Sequence, residues 1–224
     1  MTQSFPDTTE RVPIEEALKF GWDGMKKNFW LLFGMMLVTG VPYMICNVII
    51  GLAGDKHPIM VIVLSLIGMV TLLICSLGII RVACKIVSQE SIAFADLFSV
   101  LPRVFSYVGA TILFIIAFYI GLFLLIIPGI IVAIKLQFYP YFIADKNMGP
   151  IAALKASWAA TKDVKLRLFL LYLVFGVVNT VGVLALLIGL VPASMVVMIA
   201  QAFVYRRLAE TAPETAAIPM NVLV

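Results

Sequence analysis

Long unbroken apolar runs dominate this chain and leave it few ways to fold. The first covers residues 29–52, the second 59–80, and a third starts near Phe105 and reaches Pro128-Gly129. None alternates apolar and polar residues as a barrel strand does. In a bilayer every backbone N–H and C=O must be satisfied within the protein, so runs of this length read as helices, each crossing needing roughly 20 residues. A mean hydropathy of +1.12 with only 12% charged residues excludes water as the main solvent.

A fourth run, 130–144, follows the Pro128-Gly129 pair, where a tight turn is expected because the pair disfavours helix continuation. The last run, 166–205, is too long for one crossing and is expected to break around Gly189 and Pro192, giving spans five and six before Arg206-Arg207. The expected fold is all-α, a polytopic membrane bundle of six transmembrane helices with amphipathic interfacial helices on the cytoplasmic side.

Charge sets the orientation. Four Lys or Arg residues precede span one, three lie between spans two and three, five between spans four and five, and two after span six. The opposite side holds only Lys56, in a short link that also carries His57. By the positive-inside rule both termini are cytoplasmic. The same rule accounts for the net charge of +4. No basic stripe with interleaved aromatics suits nucleic acid, so nucleic acid is not expected as a partner. Residues 1–28 mix both charge signs, unlike a signal peptide, and are expected to remain in the mature protein. Cys46, Cys75 and Cys84 lack metal-ligand spacing and read as reduced packing residues, so neither metal nor cofactor is expected.

The cytoplasmic segments carry apolar residues at helical spacing. Ile14, Ala17, Leu18, Gly21, Trp22 and Met25 share one face of the first. Phe94, Leu97, Phe98, Leu101 and Phe105 do so in the second, where Pro102 should kink or restart the helix, and Ile151, Leu154 and Trp158 do so in the third. Such helices lie at headgroup level with their apolar faces turned to the acyl boundary or the bundle. The first and third segments also match at a constant offset of 136. Ala17-Leu18-Lys19, Trp22 and Lys26 correspond to Ala153-Leu154-Lys155, Trp158 and Lys162, and Leu32-Phe33 and Gly40-Val41 to Leu168-Phe169 and Gly176-Val177. This suggests a threefold internal repeat of one interfacial helix plus a hairpin within a single membrane domain, 1–224. Its units are 12–85, 91–145 and 149–207, with a tail at 208–224. A parallel repeat of this kind is unlike the inverted repeats of many transporters.

Pro128-Gly129-Ile130, Tyr139-Pro140-Tyr141, Ile143, Asp145, Gly149, Ala153-Leu154, Ser157-Trp158 and Thr161-Lys162, with the opening helix at 13–30, carry a resemblance to a known group. Most of the chain resembles an uncharacterised family of bacterial six-span inner-membrane proteins that includes the membrane domain fused to some glycerophosphodiester phosphodiesterases. The resemblance implies a six-span fold in a bacterial cytoplasmic (inner) membrane and a hint of glycerophospholipid metabolism. It brings no activity, because the phosphodiesterase chemistry belongs to a soluble domain that this sequence does not contain.

Lys135 is the leading candidate for function. Between Pro128 and Asp145 it is expected near the bilayer middle, where a lysine costs on the order of 3 kcal/mol unless paired, hydrated or snorkelling. No Asp or Glu lies in the core of any span, which leaves carbonyls or Gln137, Asn179 and Gln201 as partners. One reading has Lys135 and these amides meeting an anionic phospholipid; the other has Lys135 snorkelling to a polar edge and the amides gluing helices together. Trp22, Trp158, Tyr139 and Tyr141 read as interfacial anchors, and Tyr139-Pro140-Tyr141 as a kink. Asp145 is expected to cap a helix exit or pair with Lys146 or Lys155. No serine elbow, paired carboxylate or intramembrane histidine supports catalysis, so an enzyme is not expected. Two roles remain, binding or moving an anionic lipid or amphiphile, and acting as a structural or regulatory partner of another membrane protein.

Overall fold

The computed structural model describes residues 11–53, 58–184 and 189–211; the link holding Lys56 and His57, Ala185 and the tail beyond Thr211 lie outside them. Every regular element among the described residues is helical. In chain order they are α1 (Ile14–Ala53), α2 (Pro58–Val87), the 3-10 turns Phe94–Leu97 and Leu101–Arg103, α3 (Val104–Leu124), α4 (Ile126–Leu136), α5 (Tyr139–Lys146), α6 (Pro150–Ala160), α7 (Lys165–Leu184) and α8 (Leu190–Thr211).

Five stretches among the described residues are long and apolar enough to cross a membrane, namely Ile14–Leu52, Pro58–Val87, Phe94–Leu124, Ile127–Lys146 and Lys165–Leu184. The chain is therefore a helical membrane protein. The helix α8 is not among the five, because Pro192, Ser194, Gln201 and the Arg206-Arg207 pair dilute its apolar content.

The first interfacial segment and the first span form one helix, α1, interrupted only at Asn28 (φ −117°, ψ 16°). The Asn28 side-chain amide donates to the Gly24 carbonyl at 3.0 Å, occupying an acceptor near the interruption. On the segment before the kink, Ala17, Gly21 and Met25 face inward at i, i+4 spacing while Trp22 faces out.

Two details differ from the sequence reading, and a third, the direction of the α6 apolar face, is decided by the structure. The turn between α3 and α4 falls at Leu125, in extended conformation, and Pro128 sits inside the first turn of α4. Proline is tolerated there because the N–H it lacks would have no intrahelical partner. Gly121 and Gly129 then let the two helices touch, since a Cβ on Gly129 would lie 3.0 Å from the Leu122 nitrogen. The second of the amphipathic segments is two 3-10 turns rather than one helix, with Leu97 and Val100 buried and Phe94, Phe98, Leu101 and Phe105 exposed. In α6 the inward face is Ala153, Ala156, Ser157 and Ala160, whereas Ile151 and Trp158 point outward. This helix packs too close to α3 and α5 for large side chains to fit between; Pro150 lies 3.3 Å from a Cβ built on Gly109.

The buried core gathers at the end of the bundle that carries the charged residues. There each of the three segments packs against a helix from elsewhere in the chain: the start of α1 against α8, Phe94–Leu97 against α2, and α6 against α5. Close backbone approach makes this possible. A Cβ on Gly21 would meet the Val196 carbonyl oxygen at 2.5 Å, and one on Gly78 would lie 2.9 Å from the Leu97 Cα. Toward the apolar end, the distal halves of α1 and α2 expose Met44, Ile45, Leu52, Ile59 and Ile62, and a Cβ on Gly40 would meet nothing within 4 Å.

These glycines make a graded prediction. Gly21→Ala and Gly78→Ala should each destabilise the protein by about 1–3 kcal/mol, because their obstructions are backbone atoms that cannot rotate away. Gly40→Ala and Gly176→Ala, with nothing within 4 Å, should be neutral or stabilising by up to about 1 kcal/mol. Thermal unfolding of the four variants in one detergent checks the ordering.

Candidate functional site

The regular helix is interrupted between α4 and α5, over Gln137 and Phe138, just before Pro140. Proline lacks the N–H that would have bonded back one turn, so backbone groups are freed at this point. The neighbouring helix α6 supplies substitutes. The Ser157 hydroxyl donates to the Lys135 carbonyl at 2.8 Å and accepts from the Phe138 N–H at 3.1 Å. Thr161 lies one turn on, and its hydroxyl is 3.1 Å from the same Lys135 carbonyl and 2.8 Å from the Ser157 carbonyl. Ser157 and Thr161 are both fully buried. In a bilayer, irregular backbone is tolerated where protein buries it and satisfies its polar groups, and these two hydroxyls meet that condition.

The Lys135 side chain leaves this break for the face of Trp158, with its ammonium 3.8 Å from the ring centroid. A cation over an indole face is attracted by the ring quadrupole, the more so where water is scarce. Its charged neighbours are Lys165, at the start of α7, and Asp163 and Lys162, on the turn between α6 and α7. Lys135 therefore stands beside a charged turn, and near the middle of the apolar stretch Ile127–Lys146. Of the three amides expected around it, none hydrogen-bonds Lys135. Gln201 donates to the Tyr172 hydroxyl between α7 and α8. Asn179 lies about 21 Å along α7 from Lys165, at 1.5 Å per residue. The Gln137 side-chain nitrogen is buried without a hydrogen-bond partner.

Tyr139 and Tyr141, expected as interfacial anchors, are buried instead. The break at Pro140 turns both into the bundle. Tyr139 and Thr111 share a hydrogen bond at 2.8 Å; because the Thr111 hydroxyl also donates to the Tyr107 carbonyl, the phenol is the natural donor. Tyr141 packs against Tyr205 with ring centroids 5.2 Å apart. Trp22 and Trp158, at positions 136 apart, are both exposed.

Asp145, at the end of α5, pairs with Arg81 at 2.8 Å rather than with Lys146 or Lys155, and Tyr205 donates to its other oxygen at 3.3 Å. Arg103 donates to the Ala144 carbonyl at 2.5 Å and to the Asn147 side chain at 3.0 Å. This satisfies one of the last carbonyls of α5, that of Ala144, at the negative end of its dipole. Asp145 was visible in the sequence, but its partner 64 residues away was not. Among the described residues no group of three His, Cys, Asp or Glu side chains could hold a metal ion. What the arrangement presents chemically is fixed positive charge beside exposed apolar surface.

Ser157→Ala should destabilise the protein by about 1–3 kcal/mol by leaving the Phe138 N–H without its partner. Thr161→Val should cost less, because Ser157 still serves the Lys135 carbonyl. Thermal unfolding of the two variants, with hydrogen exchange at the α4–α5 break, checks the order.

Comparison with curated proteins and with solved structures finds no match. A family model described as a domain of unknown function (DUF7847) matches residues 54–224. That is well over half of the sequence, and the chain belongs to this family.

Proposed function

We propose that this protein binds the headgroup of an anionic lipid or amphiphile at Lys135, and that its role is binding or transport rather than catalysis. The observation that carries the reading is the Lys135 ammonium on the Trp158 ring with Lys162 and Lys165 as neighbours and only Asp163 opposing them. Ile151, Trp158 and Leu166 expose apolar surface beside these charges. A site that presents lysines at the edge of an apolar surface suits a phosphate whose acyl chains remain in the bilayer.

The reading includes six crossings with both termini in the cytoplasm of a bacterial cell, and three units closed into a ring. Arg11, just before α1, donates to the Thr211 hydroxyl at the end of α8 at 3.3 Å, so the first and last helices meet at one end. Five crossings would leave them at opposite ends, so α8 is read as the sixth. The described charged residues gather at that end, as the positive-inside rule requires of a cytoplasmic face. Burial supports the repeat: Ala17 and Ala153, Leu32 and Leu168, and Met35 and Leu171 are buried at the same 136 spacing. The interruption of α1 at Asn28 corresponds to the gap between α6 and α7. Each cytoplasmic segment packs on the second half of the preceding unit, the first unit's segment packing on the third.

A second reading, a structural or regulatory partner of another membrane protein, draws on the exposed distal halves of α1 and α2. Native mass spectrometry from mild detergent separates the two. Wild type should retain phosphatidylglycerol, and Lys135→Gln should lower its retention about tenfold, the loss of one charge-assisted contact. Equal retention in both forms removes the lipid site, and a protein that co-purifies stoichiometrically favours the second reading. For topology, a membrane-impermeant maleimide should label Leu125→Cys in intact cells and Ser99→Cys only in inverted vesicles.

A further inference from the structure

The largest polar-walled cavity described lies away from Lys135, between α1 and the turn that follows α2. Its volume is about 630 Å³. One wall is the kinked stretch of α1, with Asp23, Lys27 and Asn28; the other is the turn with Gln89, Glu90 and Ser91. Phe20, Ile86 and Ile92 line its apolar part.

Two local features hold the walls apart. On the α1 side the helix is interrupted at Asn28, which redirects the backbone within the cavity lining. On the other side α2 ends in a Schellman motif: the Glu90 N–H bonds the Lys85 carbonyl at 3.0 Å and the Gln89 N–H bonds the Ile86 carbonyl at 3.1 Å. Gln89 takes the left-handed position (φ 57°) that glycine usually fills. The cap fixes where Glu90 leaves the helix.

Asp23 is already paired with Lys26 at 3.1 Å. Lys27 and Glu90, by contrast, form no ion pair with each other or with another described residue, although they line the same cavity. The cavity thus offers one positive and one negative group on its two walls, neither held in an ion pair with a described residue. Immediately after Asn28, Phe29, Trp30 and Phe33 form a ring cluster, and Trp30 is 80% exposed. Exposed tryptophan of this kind marks the level where headgroups give way to acyl chains.

We propose that this cavity binds a zwitterionic headgroup carrying a phosphate and an ammonium, with the phosphate at Lys27, the ammonium at Glu90 and the acyl chains leaving past Trp30. A purely anionic ligand would leave Glu90 repelling it, and a purely cationic one would face Lys27. The inference shares no residue with the Lys135 site and stands or falls apart from it.

The test is retention of phosphatidylethanolamine and phosphatidylglycerol, supplied in equal amounts, by native mass spectrometry of the full chain. Lys27→Gln and Glu90→Gln should each lower phosphatidylethanolamine retention about tenfold and leave phosphatidylglycerol unchanged. Lys135→Gln should do the reverse, so failure at one site is visible separately from failure at the other. Both substituted side chains are exposed, and an unchanged unfolding temperature will show that the variants fold. Competition with soluble phosphoethanolamine identifies the source of the ligand: displacement of the bound lipid points to a free zwitterion, and persistence to the lipid itself. Equal phosphatidylethanolamine retention in wild type and both variants overturns the proposal, as does a parallel loss of both lipids.

Discussion

Close backbone contact at the charged end of the bundle is the constraint on which the rest of this structure depends. Lipid tails are as apolar as leucine, so helices in a bilayer gain little by hiding apolar surface from one another and must be held by tight packing and hydrogen bonds. Here three approaches supply that grip. Gly21 admits the backbone of α8, Gly78 admits that of the Phe94–Leu97 turn, and Ser157 reaches into the break between α4 and α5. Away from these contacts the apolar ends of α1 and α2 spread into surroundings that only lipid or another protein can fill.

The same contacts explain why charge can be placed where it is. A break in a membrane helix exposes backbone groups that cost several kcal/mol each if left unpaired in hydrocarbon. Once Ser157 and Thr161 satisfy the Lys135 carbonyl, the backbone there is fixed and the lysine side chain is free to lie on Trp158. Asp145 has a parallel arrangement, since Arg103 takes the Ala144 carbonyl at the α5 end while Arg81 and Tyr205 hold its carboxylate. Backbone satisfaction comes first, and the charged side chains are positioned by it.

Much of the helical plan was legible in the sequence, because a run of some 20 apolar residues has few alternatives. What escaped it were features that depend on neighbours in space. Pro128-Gly129 reads as a turn, but proline is as much at home in the first turn of a helix as between helices, and the break moved to Leu125. Ile151, Leu154 and Trp158 read as one face turned either to the acyl boundary or to the bundle; the structure turns Ile151 and Trp158 outward, and small residues, alanine and serine, fill the inward face. Periodicity identifies a stripe of large side chains but not whether it faces protein or lipid, since both are apolar. Trp158 as the partner of Lys135, and Arg81 as that of Asp145, had no sequence signal because each pair is joined only by the fold.

On the three-unit reading, the two proposed headgroup sites are variations on one scaffold. Trp22 and Trp158 occupy matching outward positions, and each has a lysine ammonium over its ring. The lysines differ in origin: Lys26 comes from the same segment as its tryptophan, whereas Lys135 comes from the preceding unit. Five residues after the tryptophan, the first unit has Lys27 and the third has Asp163. Where Lys27 faces Glu90 across a cavity, the charges balance; where Asp163 stands among Lys135, Lys162 and Lys165, positive charge is in excess. Packing at Gly21 and Ser157 constrains the inward face at matching positions, while the outward positions carry no such restriction. A repeat held together from the inside is free to diverge in charge on the outside, and on the proposed reading that freedom gives one fold two sites of different ligand preference.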